Sequence, residues 1–334
     1  MRIAVLGGTR FIGPWVLRGL LADGHELLVF HRGETGCADV PANVRHLHGD
    51  RAVLSEHAAD FAAFQPDTVL DMGAMSEADA RRTVDVFRAL AARAVMISSV
   101  DVYQGFAVVT GAAKDGPVPV PLTEDSMPRE QRAESPDAYD KLLAEQVFQA
   151  CDDLPATVLR LPMVYGPGDY QRRAREVLRP VRDGREVVLL DEGFRNWRVT
   201  RGYVEDVAAA IVSATVDPRA TGRTYNVGEP EPWAEEEWIL AIGAAAGWGG
   251  KVRYLPTERL PEHLVTGIEF GQDLVVDSGR IRTELGYSEP TPRAEAIART
   301  AAWELDQPVE DHPGDRPDYA AEDAAIDAWP GGAA

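Results

Sequence analysis

The amino-terminal stretch at residues 2–13 constrains the fold more than any other part of the sequence. Residues 3–6 are an apolar run that ends in two glycines, and residues 11–21 then repeat apolar side chains at helical spacing. This order predicts a strand, a tight glycine turn and a helix. Such a turn lets the backbone approach a pyrophosphate, and the helix N-terminus presents free N–H groups to it. The stretch therefore predicts a nucleotide-binding site, with a purely structural turn as the alternative.

Apolar runs and helical segments alternate along the first half of the chain. Short apolar runs predict strands at residues 26–30, 44–47, 68–71, 94–98 and 156–161. Apolar residues at helical spacing predict helices at residues 59–64, 77–92 and 137–150. Short strands joined by helical crossovers are typical of a parallel sheet that is covered on both faces. We therefore expect an α/β fold, a doubly wound parallel sheet of the Rossmann type, with its ligand at the carboxyl ends of the strands.

The alternation becomes irregular after residue 165, and this indicates a second, smaller lobe. We expect a dinucleotide-binding domain at residues 1–165 with returns near 200–227, and a substrate-binding α/β lobe at residues 166–199 and 228–308. Residues 309–334 are acidic and poor in large apolar side chains, which predicts a flexible tail with room for one helical turn. Residues 106–134 are predicted to form a long loop, and long loops are usually functional or mobile.

Composition excludes several classes of partner. The chain has 54 acidic and 34 basic residues and a net charge of −20, which repels nucleic acids and anionic membranes. No apolar run approaches the length of a membrane span, and a strand that begins at residue 2 leaves no room for a signal peptide, so we expect a cytoplasmic protein. Cys37 and Cys151 are too few for a disulfide framework. The seven histidines lack the helical spacings of metal ligands, and we expect no metal site.

Six further motifs follow the glycine turn in order. They are Gly49-Asp50, residues 98–103, residues 141–145, residues 160–168, residues 203–207 and residues 225–228. Together with residues 7–13 they resemble the extended short-chain dehydrogenase/reductase family, in its atypical epimerase/dehydratase-like branch, over residues 1–305. The resemblance implies a nicotinamide dinucleotide cofactor and a small-molecule substrate. It is also compatible with a homodimer through the helix that carries Lys141, although its apolar positions suit core packing equally well.

The resemblance implies a set of cofactor-binding residues on the loops after the strands. They are Gly7, Thr9, Arg10, Phe11, Ile12, Gly13, Arg32, Asp50, Arg51, Met72, Gly73, Ser98, Lys141, Leu161 and Met163. Arg10 replaces a glycine of the family and adds a cation beside the phosphate turn. Arg32 stands where an NAD-specific fold favours an acid, and an arginine there suits a 2′-phosphate. We therefore favour NADP(H) as the cofactor. The alternative is NAD(H), which would apply if Arg32 is merely solvated.

The residues expected to carry the chemistry depart from the family pattern. Ser99 matches the Ser or Thr that binds the reacting oxygen in relatives, and Lys141 keeps the register of the residue that holds the ribose. The usual tyrosine four residues before the lysine is replaced by Asp137, and Tyr139 is the nearest tyrosine. Either of these two could exchange the proton. Alternatively, Ser135-Pro136-Asp137 could be a helix start, with Ser135 as N-cap, Pro136 at the first helical position and Asp137 as an acid favoured by the dipole, or Asp137 could form an ion pair with Lys141. Asp101 stands where dehydratases carry an acid, or is a solvated loop residue.

Two features near the predicted substrate pocket leave its ligand open. Met163 occupies the place where nucleotide-sugar epimerases usually have an asparagine that holds the diphosphate, and methionine offers only an apolar contact. Arg195, Arg198 and Arg201 could bind an acidic or sugar-like substrate, or cover the interface between the lobes. A nucleotide diphosphate is therefore compatible with the sequence and not required by it.

These observations lead to one main hypothesis and two alternatives. The main hypothesis is an NADP(H)-dependent enzyme of the epimerase, dehydratase or reductase type that acts on a secondary hydroxyl or ketone of a sugar-like or polyhydroxylated small molecule. The broken tyrosine–lysine motif also allows an NADP-binding protein without redox turnover, acting as a sensor or scaffold. A third reading is non-redox elimination or isomerisation with the nicotinamide as a spectator.

Overall fold

A computed structural model of the chain describes residues 1–34, 39–114, 116–130, 133–308 and 317–329. Cys37 lies outside these residues, as does part of the predicted tail. No helix among the described residues is both long enough and apolar enough to cross a bilayer.

A parallel sheet of seven strands forms the centre of the described chain. In chain order its strands are β1 (Arg2–Leu6), β2 (Glu26–His31), β3 (Arg45–His48), β4 (Thr68–Asp71), β5 (Arg93–Ser99), β6 (Ala156–Leu161) and, later in the chain, Thr224–Asn226. The spatial order is β3-β2-β1-β4-β5-β6 followed by the late strand. The order reverses between β1 and β4, which is the switch point where doubly wound folds bind ligands.

Helices cover both faces of the sheet, because alternate residues of each buried strand point to opposite sides. Those that follow the strands are α1 (Ile12–Ala22), α2 (Ala58–Phe64), α3 (Glu77–Phe87), α4 (Gln104–Val109) and α5 (Lys141–Gln149). Ile3 and Val5 of β1 share a core with α1, while Ala4 and Leu6 pack on the other side with α2, α3 and α5. The apolar runs of the sequence therefore form two buried layers around one sheet.

The second half of the chain adds two short strand pairs and six helices to the described structure. The elements are β7 (Met163–Tyr165), α6 (Arg175–Arg182), β8 (Val187–Asp191), β9 (Arg201–Tyr203), α7 (Val204–Val216), β10 (Thr224–Asn226), α8 (Glu235–Ala245), β11 (Lys251–Leu255), α9 (Gly279–Leu285), α10 (Arg293–Asp306) and α11 (Tyr319–Ala328). Strand β10 is the late strand at the edge of the main sheet, β7 pairs with β9, and β8 pairs with β11. The division into lobes at residue 165 stays a prediction.

Helix α7 packs directly against α1 on one face of the sheet. A Cβ built at Gly19 would lie 2.9 Å from a methyl group of Val212, so only glycine allows this approach. The chain therefore packs back against the main sheet after residue 200, and the C-terminal half of α1 contacts an element far away in sequence.

Four predicted elements differ from the structure, of which the helix predicted at residues 77–92 ends early, at Phe87. The helix predicted to begin at Asp137 begins at Lys141, because Asp140 is its N-cap and accepts hydrogen bonds from the next backbone N–H groups. The loop predicted from residue 106 contains most of α4. The acidic tail forms the ten-residue helix α11 rather than one turn, since Asp318 caps it and Asp323 binds Arg185.

A buried ion pair lies between β6 and α5. Arg160 Nη2 lies 2.7 Å from Glu145 Oε2, and Glu145 also accepts a hydrogen bond from Ser98. Burial alone would lower the pKa of Arg160, but the neighbouring Glu145 carboxylate raises this pKa overall.

Replacing Glu145 by glutamine should leave the Arg160 charge buried without compensation. We expect Glu145→Gln to lower the free energy of unfolding by about 3–5 kcal/mol, measured by urea denaturation. The matched control is Glu77→Gln, which breaks the exposed pair with Arg81 and should cost below about 0.5 kcal/mol. Equal losses in the two variants would contradict this.

Candidate functional site

A cleft of about 1020 Å³ opens at the carboxyl ends of the parallel strands. It is large enough to take a dinucleotide, since small-ligand pockets are usually about 300–1,000 Å³. The predicted cofactor residues that line it are Gly7, Thr9, Arg10, Phe11, Ile12, Gly13, Arg32, Asp50, Arg51, Met72, Gly73, Ser98, Lys141 and Leu161. Ser99 and Tyr139 line it too. The parallel topology brings most of these residues together because they lie at or directly after strand ends, whereas Tyr139 lies just before α5 and Lys141 at its start.

The glycine turn after β1 forms one end of the cleft. Gly7 and Gly8 have φ angles of 86° and 81°, which L side chains rarely adopt. A Cβ at Gly13 would lie 2.1 Å from the Gly8 carbonyl oxygen, so the start of α1 can touch the turn only without a side chain. The cradle thus fits a phosphate group in the way that the motif predicts.

Aromatic and basic side chains cover this turn. The Tyr170 ring packs edge-on against Phe11, with 6.1 Å between the centroids, and the Arg10 guanidinium lies over the same ring at 4.9 Å. Arg10 is exposed and has no acidic partner within the described ranges, so its charge is available to a phosphate.

Arg32 and Arg51 differ in how free they are. Arg32 lies at the cleft and forms a pair with Glu34 at 3.3 Å, but both side chains are more than 60% exposed, so the pair is weak. Arg51 is committed to the buried Asp71 through two hydrogen bonds of 2.9 and 2.5 Å. Although burial tends to raise the pKa of Asp71, the Arg51 charge lowers it overall. Arg51 therefore shapes the cleft wall more than it offers a free cation.

Asp50 and Met163 have contrasting positions. Asp50 borders the cleft and caps the turn that follows β3, with Oδ1 accepting from the Ala52 N–H at 2.8 Å. Its role in cofactor binding stays a prediction. Met163 is absent from the lining and packs instead with Val102, Leu142 and their neighbours, so its side chain belongs to a core cluster behind the cleft.

Tyr139, which lines the cleft, forms a hydrogen bond with Asp101, which is not among the lining residues. The Tyr139 hydroxyl donates to Asp101 Oδ2 at 2.5 Å, although Tyr139 lies 55% exposed in the loop before α5. Asp101 is buried and its Oδ1 has no partner within the described structure. Burial and then the Asp101 carboxylate raise the pKa of Tyr139, so the phenol keeps its proton at neutral pH.

Ser99 lies at the end of β5 next to this pair. Its Oγ accepts the Asp101 backbone N–H at 3.2 Å, which leaves its own hydroxyl hydrogen for another acceptor. The neighbouring Ser98 also lines the cleft, but its hydroxyl donates to Glu145. Ser99 is therefore the serine with a donor for a ligand in the cleft.

Lys141 is 4% exposed, and no carboxylate binds its ammonium within the described structure. Its Nζ donates to the carbonyl oxygens of Ala74 at 2.7 Å and Ile97 at 2.9 Å. An ammonium has three donors, so one remains for a ligand. Burial lowers the pKa of Lys141 to about 8.

The structure separates Asp137 from the other predicted catalytic residues. Its side chain is 73% exposed and binds Arg82 at 3.0 Å rather than Lys141. The helix begins only at Lys141 with Asp140 as its N-cap, so the predicted helix start at Ser135 to Asp137 and the predicted i,i+4 pair with Lys141 are both wrong. Asp137 does not line the cleft.

Arg129 holds the catalytic end together, and no pattern in the sequence pointed to it. Its Nε donates to the Asp101 carbonyl at 2.8 Å, and its Nη2 donates to Asp140 at 2.8 Å. Asp140 could have been found, because an aspartate directly before a helical pattern is a favoured N-cap. The Arg129–Asp140 pair is buried and fixes the loop that carries Tyr139 beside Asp101.

The arginines considered for substrate binding are all paired. Arg195 lies 3.7 Å from Glu236, Arg198 binds Asp273 at 2.8 Å, and Arg201 binds Glu235 at 2.5 Å. These contacts favour the interpretation that the arginines cover an interface within the chain.

Three histidines meet beside the cleft, against the expectation of no metal site. Their nearest ring nitrogens all lie within 4.8 Å of one another; the residues are His31, His46 and His48. The expectation of no metal site was based on helical spacings of histidines only. In a strand, a His-x-His pair puts both rings on one face, and this is the signal that would have found them.

The comparison with known families decides the affiliation of the chain. The sequence profile of the NAD dependent epimerase/dehydratase family matches residues 3–228. The chain belongs to this family. The resemblance seen in the motifs is therefore confirmed, and the prediction of an NAD(P)-dependent enzyme is confirmed at the level of the family, with the reaction left open.

Two relatives and one solved structure show the range of the family. The chain is 30% identical to a 2′-dehydrokanamycin reductase of Streptomyces kanamyceticus, over 70% of this chain but only 64% of that protein, less than two thirds of its length. It is 30% identical to a 2-alkyl-3-oxoalkanoate reductase of Stenotrophomonas maltophilia (strain K279a), over 74% and 76%. The UDP-glucose 4-epimerase of Thermus thermophilus, solved with NAD, has a TM-score of 0.68 and 24% identity over 92% of this chain and 99% of that one. This likeness confirms the doubly wound fold.

The low pKa of Lys141 predicts pH-dependent cofactor affinity. The ammonium is charged below about pH 8 and loses its charge as the pH rises through that value, and a dinucleotide is anionic. We expect the Kd for NADP⁺ to rise several-fold between about pH 7 and about pH 9. Binding is measured by tryptophan fluorescence. Lys141→Met should bind more weakly at pH 7 and show a flatter profile. The same slope in both proteins would rule out Lys141 as its cause.

Proposed function

We propose that the chain is an NADP(H)-dependent oxidoreductase that interconverts a ketone and a secondary hydroxyl on a sugar-like or polyhydroxylated small molecule. One observation carries the proposal: Ser99, Tyr139 and Lys141 share one cleft with the glycine turn, although the usual spacing of the tyrosine and the lysine is broken. The two reductases among the relatives support this reaction class.

Different residues of the cleft would bind different parts of the cofactor. The turn from Gly7 to Gly13 and the free guanidinium of Arg10 would hold the phosphates, and the remaining N–H of Lys141 would hold a ribose hydroxyl. Arg32 would meet a 2′-phosphate, which would displace its exposed partner Glu34. When bound, the nicotinamide supplies or accepts a hydride at the substrate carbon.

Ser99 and Tyr139 would act on the substrate oxygen. The free hydroxyl hydrogen of Ser99 would donate to that oxygen and hold it next to Tyr139. In the oxidative direction the substrate hydroxyl gives its proton to the Tyr139 oxygen, while Tyr139 gives its own proton to Asp101 Oδ2. Reduction moves both protons in reverse, from a protonated Asp101 through Tyr139 to the new hydroxyl.

The environment of Tyr139 favours this relay over a free phenolate. In the usual motif the lysine lowers the tyrosine pKa, whereas here burial and Asp101 raise the pKa of Tyr139. A relay that leaves the phenol protonated before and after the step avoids placing a phenolate beside the Asp101 carboxylate. This is why we assign the proton store to Asp101.

Substitutions at the relay test the proposal. A panel of keto sugars and 3-oxo acids is screened for NADPH oxidation at 340 nm, and kcat is measured with the best substrate. We expect Tyr139→Phe and Asp101→Asn to lower kcat by about 10²–10⁴-fold, as general acid–base groups do. Asp137→Asn is the matched control and should retain activity, because this carboxylate lies outside the cleft.

Two outcomes would overturn the assignment. Loss of activity in Asp137→Asn with full activity in Tyr139→Phe would return the proton transfer to the position used by the family. Tight NADPH binding without turnover of any substrate on the panel would instead favour the sensor or scaffold.

The cofactor preference has its own test. Charge-assisted hydrogen bonds contribute about 1.5–3 kcal/mol, so Arg32→Ala should weaken NADP⁺ binding about 10–100-fold and leave NAD⁺ binding nearly unchanged. The titrations are made in the presence of EDTA. The control is Arg88→Ala, which replaces an exposed arginine at the C-terminal end of α3. Equal affinity of the unmodified protein for the two dinucleotides would contradict the preference.

A further inference from the structure

We propose that His31, His46 and His48 form a binding site for a divalent transition metal ion such as Zn²⁺, beside the cleft at the edge of the sheet. Strands β2 and β3 are parallel neighbours, and His31 lies directly opposite His48 in their register. His46 precedes His48 by two residues and therefore projects from the same face. The register of two strands thus gathers three imidazoles that are distant in sequence.

The distances suit coordination after small rotations. His31 Nε2 and His46 Nδ1 are 2.8 Å apart, and the candidate nitrogens of all three rings lie within 4.8 Å of one another. Nitrogens bound to one tetrahedral Zn²⁺ at 2.0–2.1 Å are roughly 3.4 Å apart. Because His46 and His48 are exposed, their rings can turn toward a shared ion without disturbing the core, while the buried His31 anchors the site.

The set of ligands selects the kind of ion. Imidazole nitrogens favour Zn²⁺, Ni²⁺ and Cu²⁺, whereas Mg²⁺ and Ca²⁺ prefer oxygen. Three protein nitrogens also leave a fourth position for water or another ligand, as in open zinc sites.

The proton arrangement without metal is defined by one backbone contact. The Gly33 N–H donates to His31 Nδ1 at 3.1 Å, so His31 Nε2 carries the proton and donates it to His46. Metal binding through Nε2 requires this proton to move to Nδ1, which breaks the contact with Gly33. The His31–His46 hydrogen bond is then replaced by two bonds to one ion.

Calorimetry on protein without an affinity tag tests the site. The protein is treated with EDTA, desalted and titrated with ZnCl₂, and Co²⁺ is added separately to record its visible absorption. We expect one equivalent of Zn²⁺ and a cobalt spectrum typical of nitrogen ligation. Loss of a supporting group around a metal costs about 10–100-fold in affinity, so removing a ligand by His46→Ala or His48→Ala should weaken the Kd at least about tenfold.

His25→Ala is the matched control, because His25 contacts the N-terminal amine and lies outside the cluster. It should bind Zn²⁺ like the unmodified protein. Circular dichroism shows whether each variant is folded. If an alanine variant of the cluster is not folded, His48→Gln is measured in its place. If no stoichiometric Zn²⁺ binding is found, or if His25→Ala and His48→Ala bind Zn²⁺ with equal affinity, the three histidines are only packed and hydrogen-bonded to one another and do not form a metal site.

Discussion

The contact between Gly8 and Gly13 is the constraint on which the rest of the site depends. A Cβ at Gly13 would overlap the Gly8 carbonyl, so this pair lets α1 start directly beside the end of β1. The same closeness continues along α1, where Gly19 meets Val212 of α7. The packing of α7, which lies far along the chain, thereby helps to hold α1 in place with its N-terminal residues Ile12 and Gly13 at the cleft.

Much of this architecture follows from the sequence because it depends on local apolar patterning. The strands Thr68–Asp71 and Ala156–Leu161 were predicted with their observed bounds, and the cleft lies at the strand ends where a doubly wound sheet should have it. The start of α5 was misplaced since Pro136 and Asp137 imitate a helix start, while the true cap at Asp140 is stabilised by the distant Arg129. Arg51 was similarly interpreted as a cofactor ligand, and its buried partner Asp71 became visible only in three dimensions.

The unusual spacing of the tyrosine and the lysine has a structural explanation that the sequence spacing alone does not show. In the family motif the tyrosine and the lysine stand four residues apart on one helix, and in this chain Tyr139 and Lys141 do not have that spacing. Tyr139 instead lies before the N-cap, so its direction is independent of the helical face that carries Lys141. This arrangement supports the proposal that both residues serve one pocket, with Asp101 replacing the lysine as the neighbour of the phenol.

The double contact of Arg129 has an evolutionary consequence. It joins the Asp101 carbonyl to the Asp140 carboxylate. Under the proposed function, changes in the segment before α5 would therefore alter the acid–base groups while leaving the glycine turn at residues 7–13 unchanged. A scaffold divided in this way can diversify its reactions one end at a time, which suits a family whose members include reductases and epimerases.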